Sequence, residues 1–421
     1  MNRDDMISER ERRLGKAYRL FYEEPLEIVR GEGVWLYDAK GDRYLDCYNN
    51  VPHVGHCHPR VVSALCEQAK TLNTHTRYLH DNVLNLSRRL SQTMPEALDV
   101  TMFACTGSEA NDLALRIARA KTGGTGIVVT EHAYHGNSRD IAAVSPAYPN
   151  FEGLGPHVRT VPAPDLFRGV YRGSDAGAGY ARLVREAFAD LSKYGHKPAA
   201  LLIDSMLASD GSPTPPVDFL QLAAEATRAA GALYVADEVQ PGFGRTGAAM
   251  WGFERYGARP DIVTLGKPMG NGHPISAMIT STEVIEPFSE NTKYFNTFGG
   301  NPVSCAVALA VLDVLEEEQL LENARQVGEQ LKLGLKSIQD RDDRIADVRG
   351  SGLFIAVELL HEGEPDVQST VRIVEEMRRQ GVLIGAASRD GNVLKIRPPM
   401  PFNAQHAEQF LDTFAGVIQR L

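Results

Sequence analysis

No run of eighteen apolar residues occurs in the 421-residue sequence, so no membrane-spanning helix is expected. The first residues, Met1-Asn2-Arg3-Asp4-Asp5, lead into Glu9-Arg10-Glu11-Arg12-Arg13 without the apolar core of a secretory leader, and the expected compartment is the cytoplasm. Cysteine is sparse. Cys47, Cys57, Cys66, Cys105 and Cys305 are odd in number and show no CxxC spacing, so neither a disulfide frame nor a zinc site is expected. There is no block of lysine and arginine either, and 44 basic residues face 54 acidic ones for a net charge of −10. Nucleic acid and anionic membrane are therefore not expected partners. Internal repeats are also missing, which excludes solenoids and propellers. What the chain does have is 43% hydrophobic against 23% charged residues, enough to close a large core over two domains.

Organisation is read from short apolar runs alternating with stretches of helical period. Residues 100–105 and 126–130 read as buried strands around a helix at 108–120. The rhythm repeats with strands at 199–204 and 233–237 around a helix at 219–230, and another strand at 261–265 follows. Such alternation builds an α/β fold, a largely parallel sheet with helices on both faces. Beyond Asn301-Pro302 a long helical stretch is expected over 303–335, then strands at 353–357 and 393–396 and a final helix. The division expected is an N-terminal segment, 1–55, packing with the small domain, a large domain, 56–300, and a smaller α+β domain, 301–421. Ligands of open α/β sheets gather at the carboxyl ends of the strands. The loops after Cys105, Thr130, Asp204, Asp237 and Leu265 should thus meet at one site.

Those loops carry chemistry. Thr106-Gly107-Ser108-Glu109-Ala110-Asn111 joins a strand to a helix, and its small residues let backbone N–H groups approach a phosphate closely. Thr106 and Glu109 also stand at capping-box spacing, so this segment alone does not decide. Tyr134-His135-Gly136 offers an aromatic ring that could stack on a flat heterocycle, although packing alone would explain it. Asp237 ends an apolar strand and needs a partner for its charge, which a pyridinium nitrogen would supply. Lys267 follows the next strand, where burial would lower its pKa and favour a bond to an aldehyde carbon. A loop lysine is ordinarily a solvated charge. In combination, cup, aromatic, acid and amine meet the fixed requirements of pyridoxal 5′-phosphate.

Two other patterns point elsewhere. Gly242-Phe243-Gly244-Arg245-Thr246-Gly247 satisfies the glycine spacing of dinucleotide folds, but Trp251-Gly252-Phe253 follows instead of an amphipathic helix. His53, His56, Cys57 and His58 have the density of metal ligands, yet they lie in one short loop ending at Pro59 with no matching cluster elsewhere. Satisfied loop histidines are expected there.

At these residues the sequence resembles the class III aminotransferases, which belong to the type I fold of pyridoxal-phosphate enzymes. The likeness runs from about Gly33 to the C-terminus. It is carried by Gly55-His56-Cys57-His58-Pro59, the segment 106–111, Tyr134-His135-Gly136, Ala236-Asp237-Glu238-Val239-Gln240, the segment 242–247, Gly266-Lys267 and Thr297-Phe298-Gly299-Gly300-Asn301-Pro302. The resemblance implies a large domain with a mainly parallel, seven-stranded sheet between helices, plus the smaller α+β domain. It further implies that Lys267 holds the cofactor covalently and shuttles protons, that Asp237 pairs with the ring nitrogen, and that Tyr134 stacks on the ring. Gly107 and Ser108 would hold the phosphate, and Gln240 would lie near the ring hydroxyl. Thr297 would reach the phosphate of a neighbouring subunit, which implies a homodimer with shared active sites, alone or paired into a tetramer.

Departures from the family pattern bear on the substrate. Many of these aminotransferases carry Glu-Pro after the strand that here ends at Asp204, and a second Glu that pairs with a C-terminal arginine. Ser209 stands at that second position, while the arginine matches Arg397. Without a switching carboxylate, Arg397 should be a permanent anion receptor. Asn137 stands where some relatives bind a carboxylate through arginine. The segments 48–56 and 72–82 resemble the ethanolamine-phosphate phospho-lyase branch and its phosphohydroxylysine relatives. In that likeness Arg77, Arg397 and Asn50 form a second anion site, although Arg77 could equally make a surface ion pair. The expected reaction is a β-elimination on phosphoethanolamine, a small phosphorylated amine, giving acetaldehyde, ammonia and phosphate. Lys267 would be the base, and positioning would matter more than an acid at the leaving oxygen. The alternatives are an ω-aminotransferase acting with pyruvate, glyoxylate or 2-oxoglutarate, and a non-catalytic cofactor-binding protein.

Overall fold

The computed structural model describes residues 3–148 and 153–421. Near the N-terminus, β1 (Ile28–Glu32), β2 (Trp35–Asp38) and β3 (Arg43–Asp46) form an antiparallel meander. A seven-stranded sheet follows, made of β4 (Val100–Ala104), β5 (Gly126–Thr130), β6 (Val158–Val161), β7 (Pro198–Asp204), β8 (Leu233–Asp237), β9 (Ile262–Leu265) and β10 (Ser276–Thr280). Its spatial order is β4-β10-β9-β8-β7-β5-β6. Only β10 runs against its neighbours; the other pairs are parallel. Burial on both faces explains the uninterrupted apolar runs of β5, β7, β8 and β9. Parallel neighbours need crossovers, and the helices Gly107–Thr122, Ala176–Lys193 and Phe219–Ala229 provide them.

The C-terminal part contains β11 (Ile345–Ser351), β12 (Phe354–His361), β13 (Glu364–Pro365), β14 (Val382–Leu383), β15 (Gly385–Ala387) and β16 (Val393–Ile396). An antiparallel sheet has the order β11-β12-β16-β15, with β13 on β12. β14 instead pairs in parallel with β3, so the N-terminal meander and the C-terminal part share a sheet. Among the described residues no helix is long and apolar enough to cross a membrane.

The expected strands at 126–130, 233–237 and 393–396 coincide with β5, β8 and β16, and those at 100–105, 199–204 and 261–265 differ by one residue at one end. The single helix expected over 303–335 is two helices, Pro302–Glu317 and Leu320–Gln339. Gln319 between them has φ 51, a left-handed conformation through which a right-handed helix cannot continue. The first of the two packs against the helices Pro59–Thr71 and Asp81–Ser91, with Arg60 and Arg89 both paired to Asp313. The antiparallel β10 was not expected, because residues 266–275, with the 3-10 helix Lys267–Gly270, return the chain beside β9 without a crossover α-helix.

Candidate active site

The carboxyl ends of β4, β5, β7, β8 and β9 open onto one cavity of about 370 Å³. Its lining includes Thr106, Gly107, Ser108, Tyr134, Asp204, Asp237, Gln240 and Lys267, so the loops predicted to converge do so. Asp237 is buried at the end of β8 and anchored from three sides. Its Oδ2 accepts from Asn111 Nδ2 at 3.0 Å and lies 2.7 Å from His135 Nδ1, and its Oδ1 accepts from Val239 N–H at 3.0 Å. Burial pushes this carboxyl up, but the His135 contact, the Val239 N–H and the charge of Lys267 together hold it below the usual range. Asn111 is itself held: its amide donates to the His135 carbonyl at 2.8 Å and its oxygen accepts from Thr264 Oγ1 at 2.6 Å. A fixed anion is thus presented to whatever fills the cavity.

The anion cup and the capping box are the same piece of chain. Thr106 Oγ1 accepts from Glu109 N–H at 3.2 Å, while Glu109 Oε2 accepts from the N–H groups of Thr106 at 2.9 Å and Cys105 at 2.8 Å. This box leaves the N–H groups of Gly107 and Ser108, in the first turn, directed out of the helix end. Ser108 Oγ accepts from Asn137 N–H at 3.1 Å, which ties the Tyr134 loop to the cup. Space here suits only glycine. A Cβ on Gly136, at φ 140, would stand 2.3 Å from Ser108 Oγ, and one on Gly107 would stand 2.9 Å from Val239 Cγ1. A helix end with free N–H groups, an aromatic wall at Tyr134 and a buried carboxylate fit a phosphorylated pyridine.

Lys267 lies just past β9, after Gly266, and opens a short 3-10 helix. Burial lowers its amine pKa, Asp237 opposes that, and Arg397 adds to it. Lys267, Gln240 and Tyr134 also line a second chamber, of about 560 Å³, that continues away from Asp237. Asn50, Ser209, His132, Arg389, Lys395 and Arg397 line it too, and among the described residues it has no carboxylate in its wall. Arg397 donates from Nη1 to Gln240 Oε1 at 2.6 Å and sits 5.3 Å from the centre of the Tyr48 ring. The buried Asn50 Nδ2 and Arg397 Nε have no hydrogen-bond partner among the described residues. A concave wall of donors without a balancing anion is built to receive one.

The class III aminotransferase family model matches residues 21–418. The chain belongs to that family. Its fold is the type I fold of pyridoxal-phosphate enzymes, and its cofactor is pyridoxal 5′-phosphate. Within the family, a Drosophila melanogaster protein named alanine–glyoxylate aminotransferase 2-like is 41% identical, covering 98% of this chain and 86% of its own. The Caenorhabditis elegans ethanolamine-phosphate phospho-lyase homolog 1 is 36% identical, covering 100% and 94%. Among solved structures, a phospholyase from Arthrobacter in complex with phosphoethanolamine superposes with a TM-score of 0.96 at 40% identity, covering 99% and 100%.

Of the residues singled out from the sequence, this class III chain brings together Lys267, Asp237, Tyr134, Gly107, Ser108 and Gln240 in the first cavity, and Asn50 with Arg397 in the second. It does not bring Arg77 to them. Arg77 is exposed, with its guanidinium carbon 3.9 Å from the Phe295 ring centre, and Thr297 is exposed nearby in sequence. Gln240, expected at the ring hydroxyl, grips Arg397 with its carbonyl oxygen. The loop histidines take separate partners: His53 contacts the Phe243 carbonyl and Arg245, His56 contacts Asp46, and His58 contacts Glu318. Residues 242–247 form turns near the buried Trp251, followed by the short 3-10 helix Gly252–Tyr256 and not by an amphipathic α-helix. Sequence reasoning overlooked Asn111, Asp204 and Lys395. The signal for Lys395 was a charge inside the apolar run Val393-Leu394-Lys395-Ile396.

Proposed function

We propose that the chain eliminates phosphate from O-phosphoethanolamine or a closely similar phosphorylated amine, giving acetaldehyde, ammonia and inorganic phosphate. The observation that carries this reading is the chamber beside Lys267, whose charged residues are all cationic. An aminotransferase of this class must admit two substrates in turn, and a carboxylate that switches its arginine on and off serves that alternation. Ser209 stands where that carboxylate would be, so among the described residues Arg397 meets the neutral side chains of Gln240 and Tyr48 and no carboxylate. A dianion bound there gains charge-assisted hydrogen bonds from Arg397 and finds the free amide of Asn50.

In this reading Gly107 and Ser108 would hold the cofactor phosphate, Tyr134 would cover the ring, Asp237 would keep the ring nitrogen protonated, and Lys267 would hold the aldehyde carbon until the substrate amine takes its place and frees it. When bound, the cofactor supplies an electron sink that acidifies the carbon bearing the substrate amine. Lys267 takes the proton from that carbon, and burial, which lowers its amine pKa, favours the neutral form that a base needs. Arg397 and Asn50 hold the phosphate in line as its bond to the adjacent carbon breaks. Arg77 and Thr297 belong, in this proposal, to the site of a second subunit in a homodimer. They lie on a face with Leu79 and Phe298, 96% and 69% exposed, an apolar surface that a second copy would cover. The test is incubation of the cofactor-loaded enzyme with phosphoethanolamine and no keto acid. Sustained release of phosphate and acetaldehyde is expected; turnover that requires pyruvate, glyoxylate or 2-oxoglutarate would make the protein an aminotransferase instead.

A further inference from the structure

A second lysine shares the chamber with Lys267 and has no role in the reaction as described so far. Lys395 lies on β16 between Leu394 and Ile396 and is only 7% exposed, yet it lines the chamber alongside Arg397. Its Nζ donates to the Ala208 carbonyl, on the loop that leads to Ser209, and among the described residues no carboxylate forms an ion pair with it, although Asp204 and Asp210 act on its charge from farther away. Burying an ammonium whose one direct contact is a carbonyl is costly, and such a site is stabilised by an arriving anion.

We propose that Lys395 is the acid of the elimination, its ammonium binding the substrate phosphate and giving a proton to the oxygen that departs from carbon. The proposal rests on the phospho-lyase reading above. Near neutral pH a phosphate monoester is largely a dianion. If its carbon–oxygen bond breaks unaided, the product is the phosphate trianion, a base too strong to leave readily. An acid at that oxygen is therefore needed, contrary to the expectation from sequence that positioning would suffice. In the proposed step the carbon–oxygen bond breaks and its electron pair stays on oxygen. The Nζ–H proton forms the new oxygen–hydrogen bond. Hydrogen phosphate leaves, and Lys395 remains as a neutral amine that regains a proton from water at the chamber mouth, where Arg389 is exposed.

Other donors in the chamber suit this task less well. The guanidinium groups of Arg397 and Arg389 do not give up protons at neutral pH. His132 is held below its ordinary pKa by burial and by Arg389, which disfavours the charged ring that a donor would need. Burial pushes the Tyr134 hydroxyl upward. Lys395 has the required balance: burial and the charges of Arg397 and Lys267 pull its ammonium well below the ordinary lysine value, against the opposing pull of Asp204 and Asp210. An ammonium whose pKa is lowered is a better proton donor, and the arriving dianion itself favours its charged form.

The test compares the cofactor-loaded wild type with K395R and K395M. Arginine keeps the charge but not the labile proton. K395R is expected to bind inorganic phosphate in calorimetry about as tightly as wild type while its kcat for phosphoethanolamine falls about 100-fold or more, with the alkaline limb of its pH profile lost. K395M is expected to lose both phosphate affinity, by about 10-fold, and turnover. Chloride needs no proton to leave, so both variants should form acetaldehyde from 2-chloroethylamine within about threefold of wild type. Retained kcat in K395R would reduce Lys395 to an anion receptor and overturn the proposal, as would an equal loss with both substrates. A wild type inactive on phosphoethanolamine but active on 2-chloroethylamine would instead defeat the phospho-lyase reading itself, and the inference with it.

Discussion

The electrostatics of the substrate chamber turn on single side chains. Ser209 is small and neutral where a glutamate would meet Arg397, and the loop bearing it is pinned by Asp204, which accepts from the N–H groups of Met206 at 2.8 Å and Ala208 at 3.0 Å. Arg349 holds the other end through the carbonyls of Gly211 at 2.8 Å and Ser212 at 2.9 Å. A glutamate introduced here would therefore be presented to the chamber by an already fixed backbone. S209E is expected to place a competing carboxylate among Arg397 and Lys395 and to raise KM for phosphoethanolamine about 10- to 100-fold, the worth of one to two charge-assisted contacts. Steady-state kinetics with phosphate release as readout checks this; an unchanged KM would mean that Arg397 is not the receptor. The main site residues were legible in the sequence for the same physical reason. Asp237 and Lys267 are charges placed at the ends of buried apolar strands, where only a ligand justifies them. Lys395 escaped notice because its strand lies in the C-terminal part, and only the folded chain sets β16 beside the loop after β7.

At the scale of elements, the last residue of β8 and the residue after it supply two consecutive carboxylates with opposite duties. Asp237 faces the cofactor cavity, while Glu238 is buried and pins a distant loop by accepting from Ser205 Oγ at 2.8 Å, Phe253 N–H at 3.0 Å and Gly252 N–H at 2.7 Å. Burial outweighs these donors and pushes its carboxyl up to about 8. E238Q turns one oxygen into an amide donor that meets an N–H of the loop, and at pH 5 it is expected to cost about 1–3 kcal/mol. The wild type binds a proton at Glu238 that the unfolded chain releases near its ordinary value. Its stability relative to E238Q should thus fall as pH rises from about 4.5 toward 8, by at most about 1.4 kcal/mol per unit. Urea midpoints of both proteins across this range check the sign; a gap that widens with pH would refute it. Close packing between elements supplies another case. G136A would drive a Cβ into Ser108 at the start of the cup helix and should weaken cofactor binding about 10-fold, measured by absorbance titration of the cofactor-free protein. Elements buried on both faces were readable from composition. The N-terminal meander is exposed or half-buried over β1 and β2 and so lacks that signal. The break at Gln319 depends on one left-handed residue that no apolar pattern announces.

For the whole molecule, the question is what covers the surface that carries Arg77 and Thr297. Sequence resemblance grouped these two with the active site, yet within one chain Arg77 lies over Phe295 and both are exposed. Tyr78 and Phe295 contact the His75 ring, and Leu79 and Phe298 project almost bare from the same two segments. Scattered exposed leucines are ordinary, but a run of large apolar side chains beside a polar pair is the kind of surface that the proposed second copy would cover. A homodimer assembled on this face would bury them and offer Thr297 to the neighbouring cofactor phosphate. Charge introduced at its most exposed points would be desolvated without a partner on association, a cost of several kcal/mol. L79D combined with F298D is therefore expected to yield a folded monomer in sedimentation velocity, with circular dichroism unchanged because neither side chain contributes to the core of its own chain. Cofactor affinity should fall with the loss of the partner's Thr297, and adding excess cofactor should restore the dimer only in part, since binding favours assembly by mass action alone. A double variant that stays dimeric and retains full affinity would show that the second copy docks elsewhere, and Arg77 and Thr297 would then need another explanation for their place beside so much exposed apolar surface.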